Sequence, residues 1–289
     1  LALMGLLEVL PKIFRLKRLL ADAAADVAAR KPDVLVTIDS PGFTLRLAER
    51  VKPLGIPVVH YVAPQVWAWR PGRVAKLKQK VDRILCLLPF EPIFFENAGI
   101  PVTFVGHPVL ESGADRGDAA RFRSLHGLTE ADRPVIVMPG SRRMEASRLL
   151  PIFGGALQLA AQRLPGLRPV LPVAPIVAEA VRKAAAGWPA APILVEGNEA
   201  KHDAFAAVAQ SGGAGLIKSG TSSLEMAVAG IPHVVAYRLN PITAEIARRP
   251  VKVPHASLVN LLAEREVVPE RIQGPCTPES LAEALLRQM

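Results

Sequence analysis

The sequence predicts an α/β fold built on parallel sheets with helices on both faces. Short apolar runs without polar alternation recur along the chain, helical stretches separate most of them, and glycine or proline marks many of the junctions. A strand buried on both faces has no solvent side to impose alternation, and a parallel partner is reached only through a crossover, so these features belong together. With 50% hydrophobic and 21% charged residues in 289, the chain can bury enough apolar surface to offset its ordering entropy, which excludes a disordered protein. Mean hydropathy is high at +0.27, yet no apolar run reaches the roughly 18 residues that would span a bilayer.

The elements follow in order. A basic amphipathic stretch over Ile13–Arg30 reads as a helix, and Lys31-Pro32 ends it because proline cannot continue the hydrogen-bond ladder. Asp33–Ile38 is the first strand and breaks into Asp39-Ser40-Pro41-Gly42. A helix then runs to Leu54 with Gly55 as its cap, and Pro57–Val62 is the second strand. Further strands are expected at Arg83–Leu88, Val102–Val105, Pro134–Met138, Pro169–Val173, Ile193–Val195, Ala214–Ile217 and His233–Tyr237. The polar stretch Gly106–Gly117 separates two α/β halves, residues 1–112 and 113–289, with a ligand cleft expected between them.

Lys and Arg number 35 against 26 Asp and Glu, a formal charge of +9. That surplus suits a phosphorylated metabolite, a nucleic acid or an acidic lipid surface, although on charge alone a solvated basic exterior is the plainer reading. Aromatic residues at 5% and dispersed basic residues argue against nucleic acid. Two cysteines, Cys86 and Cys276, make neither a disulfide framework nor a CxxC pair, and the six histidines lack zinc-ligand spacing. No metal or cofactor is expected, and a reducing cytoplasm is the simplest setting. Leu1–Leu10 lacks the basic leader and cleavage site of a signal peptide.

Four loops that follow strands could carry chemistry. Asp39, held by a Pro-Gly turn, could act as a general base or could cap the following helix. Trp67, Trp69 and Arg70 form an aromatic-basic loop that could hold an amphipathic ligand, touch a membrane interface, or pack in the core. Gly140-Ser141-Arg142 offers backbone N–H groups at a helix start and a guanidinium fork suited to a diphosphate. Two arginines beside the positive end of a helix dipole make sense when an anion joins them, although pairing with Glu145 is the plainer alternative. The fourth loop, Ser219-Gly220-Thr221-Ser222, lacks the lysine after its glycine that a Walker NTPase requires. In it, Glu225 either completes a capping box or accepts ribose hydroxyls. The absence of GxGxxG disfavours a dinucleotide enzyme.

Taken together, these loops resemble the lipid-A-disaccharide synthases, bacterial glycosyltransferases of the two-domain GT-B type. Matching strings run in order along nearly the whole chain: Met4–Leu10, Lys31–Val34, Ile38–Pro41, His60–Pro64, Val66–Arg70, Leu88–Glu91, Val105–Pro108, Pro139–Arg142, Ser219–Glu225, Val234–Arg238 and Ser257–Leu262. The resemblance implies two Rossmann-like domains facing a central cleft. It implies transfer of diacylglucosamine from its UDP derivative to diacylglucosamine 1-phosphate, with inversion and release of UDP, and without a metal. In that reading Asp39 is the base and Arg142 stabilises the departing diphosphate. Gly140, Ser141, Ser219, Gly220, Thr221, Ser222, Glu225 and Asn260 form the donor pocket, and Trp67, Trp69 and Arg70 form an acceptor or membrane loop.

Where the family has Ile-Asp-x-Pro-Asp-Phe, this chain has Gly42 at the second carboxylate, and Val259 stands where the family has a proline. The family's first strand and its Gly-Glu-x-Ser-Gly-Asp loop have no match here, and the C-terminus is short as well. The N-terminal domain is therefore expected to be incomplete, with an unpaired sheet edge, and the chain to fold its second half and bind UDP but to turn over poorly. Acylated substrates imply a peripheral site on the inner face of the inner membrane. Lys12, Arg15, Lys17 and Arg18 among apolar neighbours could contact an anionic leaflet; a homodimer is compatible with the sequence. A UDP-sugar 2-epimerase on the same architecture, or a non-catalytic UDP- or lipid-binding remnant, would share the donor pocket but not the transferase chemistry.

Overall fold

The computed structural model describes residues 13–65, 71–188, 191–239 and 254–289. They form two compact units that divide between His107 and Pro108. The first holds a parallel four-stranded sheet in the order β1 (Leu35–Ile38), β2 (Val58–Tyr61), β3 (Arg83–Cys86), β4 (Val102–Phe104). Helices α1 (Ile13–Arg30) and α2 (Pro41–Val51) pack together, burying Leu20, Leu47, Val51 and Ile56 with Leu35 against them. The short α3 (Pro92–Glu96) lies against β4.

Local chemistry accounts for the ends of these helices. At the end of α1, Lys31 turns to φ +45° while its N–H still reaches Val27 O at 3.0 Å, and Pro32 prevents continuation. The segment expected to be helical through Leu54 is α-helical only to Val51. Pro53 has no N–H to return to Glu49, so Lys52–Leu54 tightens into a 3₁₀ turn that Gly55 closes at φ +74°. Among the described strands β1 is one edge of the sheet. Leu35 faces the α1–α2 pair, so alternation sends Val36 and Ile38 to the opposite face, where they stay exposed.

The second unit is a parallel six-stranded sheet in the order β10-β9-β8-β5-β6-β7. Its strands are β5 (Arg133–Met138), β6 (Leu167–Pro172), β7 (Ile193–Val195), β8 (Gly215–Lys218), β9 (His233–Tyr237) and β10 (Glu270–Ile272). The helices are α4 (Ala119–Leu125), α5 (Arg143–Arg163), α6 (Ala178–Ala185), α7 (Asn198–Gln210), α8 (Ser222–Val228), α9 (Leu258–Ala263) and α10 (Pro278–Gln288). Val135 and Val137 bury beneath Leu149, Phe153 and Leu157 of α5 and Leu281 and Leu285 of α10. Ile136 and Met138 bury on the other face with Phe122 of α4 and Phe205 and Val208 of α7. Every second residue of β5 thus meets a different helix layer, which is why the strand reads as an unbroken apolar run.

The chain lays β5, β6 and β7 outward in one direction, then returns to place β8 on the other side of β5. The switch point of the sheet therefore lies between β5 and β8, where the loops leaving the two strands diverge and open a crevice at their C-terminal ends. Each strand expected from the sequence is present at its place. One strand was not expected: β10, three residues of which two are charged, pairs with the edge of β9 and carries no apolar run that could announce it.

Helices α4 and α7 are locked by a charge-assisted pair. Arg121 Nε and Nη2 donate to Asp203 Oδ2 and Oδ1 at 2.6 and 2.9 Å, and Asp118 N–H donates to Asp203 Oδ1 at 2.7 Å. Those partners hold the Asp203 carboxyl below its ordinary pKa, led by the Arg121 hydrogen bond. This approach leaves no room at Gly117, where a Cβ would stand 1.9 Å from the His202 carbonyl oxygen. Gly117→Ala is expected to lower the unfolding free energy by about 2 kcal/mol or more. Chemical denaturation reads this directly, and an unchanged midpoint would show that the α4–α7 approach is not constrained there.

Candidate functional site

At the switch point, β5 leads through Pro139-Gly140-Ser141 to Arg142 at the start of α5, and β8 leads through Ser219-Gly220-Thr221 to α8. Gly140 takes a backbone conformation that residues with side chains rarely adopt, and Glu145 stands over it. The Gly140 φ is +105°, and a Cβ would sit 2.9 Å from Glu145 Oε2 and 3.6 Å from Lys218 Cδ. Arg142 is the N-cap residue of the 21-residue α5, extended at φ −107° and ψ 139°, with no side chain capping the helix. Its Nη1 donates to Glu145 Oε1 at 2.9 Å, so the arginine–glutamate pairing weighed from sequence does form. Lys218 Nζ reaches the same oxygen at 3.2 Å and lies 5.3 Å from the centre of the Tyr237 ring. Arg142 Nε is buried without an acceptor among the described residues. Burial, and then the charge of Glu145, push the Tyr237 phenol above its ordinary pKa.

Glu225, in the first turn of α8, forms no capping box. Thr221 is the N-cap residue and makes no side-chain cap bond, while Glu225 Oε1 accepts from Lys201 Nζ of α7 at 2.7 Å. Among the described residues, Arg142 and Lys218 outnumber the Glu145 they share, beside the positive end of α5. Such a surplus of donors and positive charge is suited to an anion.

A buried polar network braces the β8 loop. Ser219 Oγ donates to Ala256 O at 2.7 Å, and the Ala256 and Ser257 N–H groups each donate to the Glu270 carboxylate at 2.9 Å. Ser257 Oγ lies 2.9 Å from Ser223 Oγ, which lies 2.8 Å from His233 Nε2. Because His233 Nδ1 is 3.0 Å from a carbonyl, Ile231 O, it carries the proton, and Nε2 accepts from the Ser223 hydroxyl. Burial holds the His233 pKa below its ordinary value.

Asn260, expected in the donor pocket, belongs to this network. Its Nδ2 donates to Val268 O and Glu270 Oε1, both at 2.8 Å, and its Oδ1 accepts from the N–H groups of Val267 and Val268 at 2.8 and 2.9 Å. Two donor protons and two lone pairs are all engaged, so Asn260 is a brace for the loop rather than a group with capacity for a ligand. Glu270, its partner, was not singled out from the sequence, because a carboxylate in a short polar segment carries no mark of the partners it will find.

In the first unit, the backbone is strained where β1 and β2 end. Asp39 and Ser40 both have left-handed φ, +46° and +45°, and so does the β-branched Val62 at +73°. Each such residue costs about 1–3 kcal/mol, and strain of this kind gathers at functional loops. Asp39 is held by its backbone, with N–H on Tyr61 O at 3.0 Å and its carbonyl accepting from Thr44 Oγ1 at 2.6 Å. Ser40, not Asp39, is the N-cap residue of α2, and no side chain caps it, so the Asp39 carboxylate stays exposed and uncommitted to the helix. His60 is fully buried with Nδ1 2.8 Å from Thr37 Oγ1 and Nε2 without a partner among the described residues. Burial lowers its pKa, and the charge of Asp39 opposes that shift. Trp67, Trp69 and Arg70 lie outside the described residues. No group of three metal-ligating side chains occurs among the described residues.

Over residues 1–289 the chain matches the lipid-A-disaccharide synthetase family. It is 52% identical to a lipid-A-disaccharide synthase of Granulibacter bethesdensis over 289 residues, covering 100% of this chain and 72% of the relative. It is 47% identical to the enzyme of that name from Rhodospirillum centenum, covering 99% of this chain and 71% of the relative. Among solved structures, a UDP-GlcNAc 2-epimerase of Methanocaldococcus jannaschii in complex with UDP-GlcNAc and UDP aligns with a TM-score of 0.60 at 14% identity, over 94% of this chain and 73% of that one. MurG of Acinetobacter baumannii aligns with a TM-score of 0.54 at 17% identity, over 95% and 70%. At such identities the structural likeness speaks to the fold, two parallel α/β units of the GT-B type.

Asn260→Ala would take the partner from the Val267 and Val268 N–H groups and from the buried Val268 carbonyl, while Glu270 keeps the N–H groups of Ala256 and Ser257. A loss of about 3 kcal/mol in unfolding free energy is expected. A stability within about 0.5 kcal/mol of the parent would show that these bonds are replaceable.

Proposed function

We propose that this chain, which belongs to the lipid-A-disaccharide synthase family, joins two acylated glucosamines. Diacylglucosamine passes from its UDP derivative to the 6-hydroxyl of diacylglucosamine 1-phosphate, with inversion at the anomeric carbon and release of UDP. The observation that carries the donor side is the surplus of cationic donors at the β5–β8 switch point, on a chain matched by that family from end to end.

In this reading the acceptor hydroxyl loses its proton to Asp39, whose carboxylate is exposed at the end of β1 and unused by the helix that follows. As the glycosidic bond to the diphosphate breaks, its electron pair passes to the terminal phosphate oxygen. Arg142 and the N-terminus of α5 stabilise that developing charge. Gly140 and Ser141 let the diphosphate approach the backbone. Ser219 spends its N–H on Ala236 O and its hydroxyl proton on Ala256 O and so fixes the loop from which Gly220, Thr221 and Ser222 supply further donors, and Glu225 accepts from the ribose hydroxyls while Lys201 steadies it. By family resemblance, Trp67, Trp69 and Arg70 receive the acylated acceptor. The likeness to 2-epimerases is one of fold alone.

Saturating UDP is expected to raise the melting temperature, and Arg142→Ala and Glu225→Ala to abolish the rise. With both acylated substrates supplied, Asp39→Asn is expected to lower kcat by about a thousandfold, in the middle of the general-base range. A melting temperature indifferent to UDP would refute the donor site, and an unchanged kcat would remove Asp39 from the chemistry.

No described helix is long and apolar enough to cross a membrane. Acylated substrates must still be drawn from a lipid surface, and α1 offers one contact: Phe14 is 82% exposed beside Arg15, Lys17 and Arg18, which are also exposed. Lys12 lies outside the described residues. Replacing Arg15, Lys17 and Arg18 with glutamate is expected to weaken sedimentation with phosphatidylglycerol vesicles; binding that is unchanged and insensitive to salt would count against this surface.

A further inference from the structure

One oxygen, Glu145 Oε1, holds two cations, Arg142 Nη1 at 2.9 Å and Lys218 Nζ at 3.2 Å. They come from the loops after β5 and the end of β8, on either side of the switch point. The Lys218 and Glu145 side chains are only 17% and 18% exposed. Among the described residues, two positive charges against one negative leave the cluster one anion short, where water is too scarce to make up the difference cheaply. The buried Arg142 Nε, which has no acceptor among the described residues, is a second sign of the same deficit. The Glu145 carboxylate also lies directly over Gly140, 2.9 Å from where a Cβ would be, in the space that a phosphate approaching this backbone would need. Lys218 Nζ is 3.8 Å from the equivalent point on Gly220, so one ammonium stands close to the second loop as well, steadied by the face of the Tyr237 ring.

We infer that Lys218 is a second cationic ligand of the donor's diphosphate, and that Glu145 is a placeholder which keeps Lys218 and Arg142 together until that anion displaces it. The inference rests on the donor-site reading above. A nucleoside diphosphate sugar carries two negative charges and so balances Arg142 and Lys218 once Glu145 has swung away. Lys218 then shares the charge that appears on the leaving phosphate.

Calorimetric titration of the full chain with UDP and with uridine tests this. Lys218→Met is expected to weaken UDP binding by about tenfold or more while uridine binding stays unchanged. Lys218→Arg should recover most of the loss. Glu145→Gln is expected to tighten UDP binding by about threefold or more, again without effect on uridine. UDP affinity within about twofold of the parent in Lys218→Met overturns the role of the lysine. An equal loss for UDP and uridine overturns it too, since the residue would then shape the pocket rather than meet the phosphates. Unchanged or weaker UDP binding in Glu145→Gln overturns the placeholder. A parent chain that binds neither compound refutes the donor site itself, and this inference with it.

Discussion

Parallel strands cannot be joined by a tight turn, and much of this molecule follows from that restriction. Each crossover carries a helix onto a face of the sheet and leaves its loops at the strand ends. In the second unit the chain runs out from β5 in one direction and must then return to build the other side, so two neighbouring central strands send their loops apart. The crevice this creates is a product of strand order, and the residues that line it had only to acquire the right chemistry.

What they acquired is positive charge held under restraint. Arginine beside the start of a helix opposes the dipole, and burying lysine next to it adds repulsion. Glu145 makes the arrangement tolerable without making it neutral, and a cluster left short of negative charge binds an anion with less reorganisation than one that must first assemble. The pairing of Glu225 with Lys201 follows the same logic at the other loop, where a carboxylate already positioned by a cation keeps one oxygen for another partner.

Rigidity comes from two different sources in the two units. In the second, the chain of bonds from Asn260 through Glu270, Ser257 and Ser223 to His233 ties the β8 loop to a segment far along the sequence, with its members satisfied inside the protein. In the first, Asp39, Ser40 and Val62 are kept in left-handed conformations by hydrogen bonds to neighbouring strands and helix, so strain is sustained by the sheet around it.

The order of helices and strands was legible in the residues because double burial leaves a simple signature, an apolar run closed by glycine or proline. The two strand-to-helix loops at the switch point were legible as loops too, since Gly140-Ser141 and Ser219-Gly220-Thr221 are residue types that favour turns and helix starts. The strand Glu270–Ile272 was not, because its place depends on an edge that β9 provides only after folding. Nor could spacing show that Asn260 spends every hydrogen bond on its own loop, or that Lys218 meets Arg142 across a shared carboxylate. Local sequence carries propensity and pattern over a few residues. Which polar groups find each other across long stretches of chain is decided by strand order and packing, and only the tertiary structure contains that.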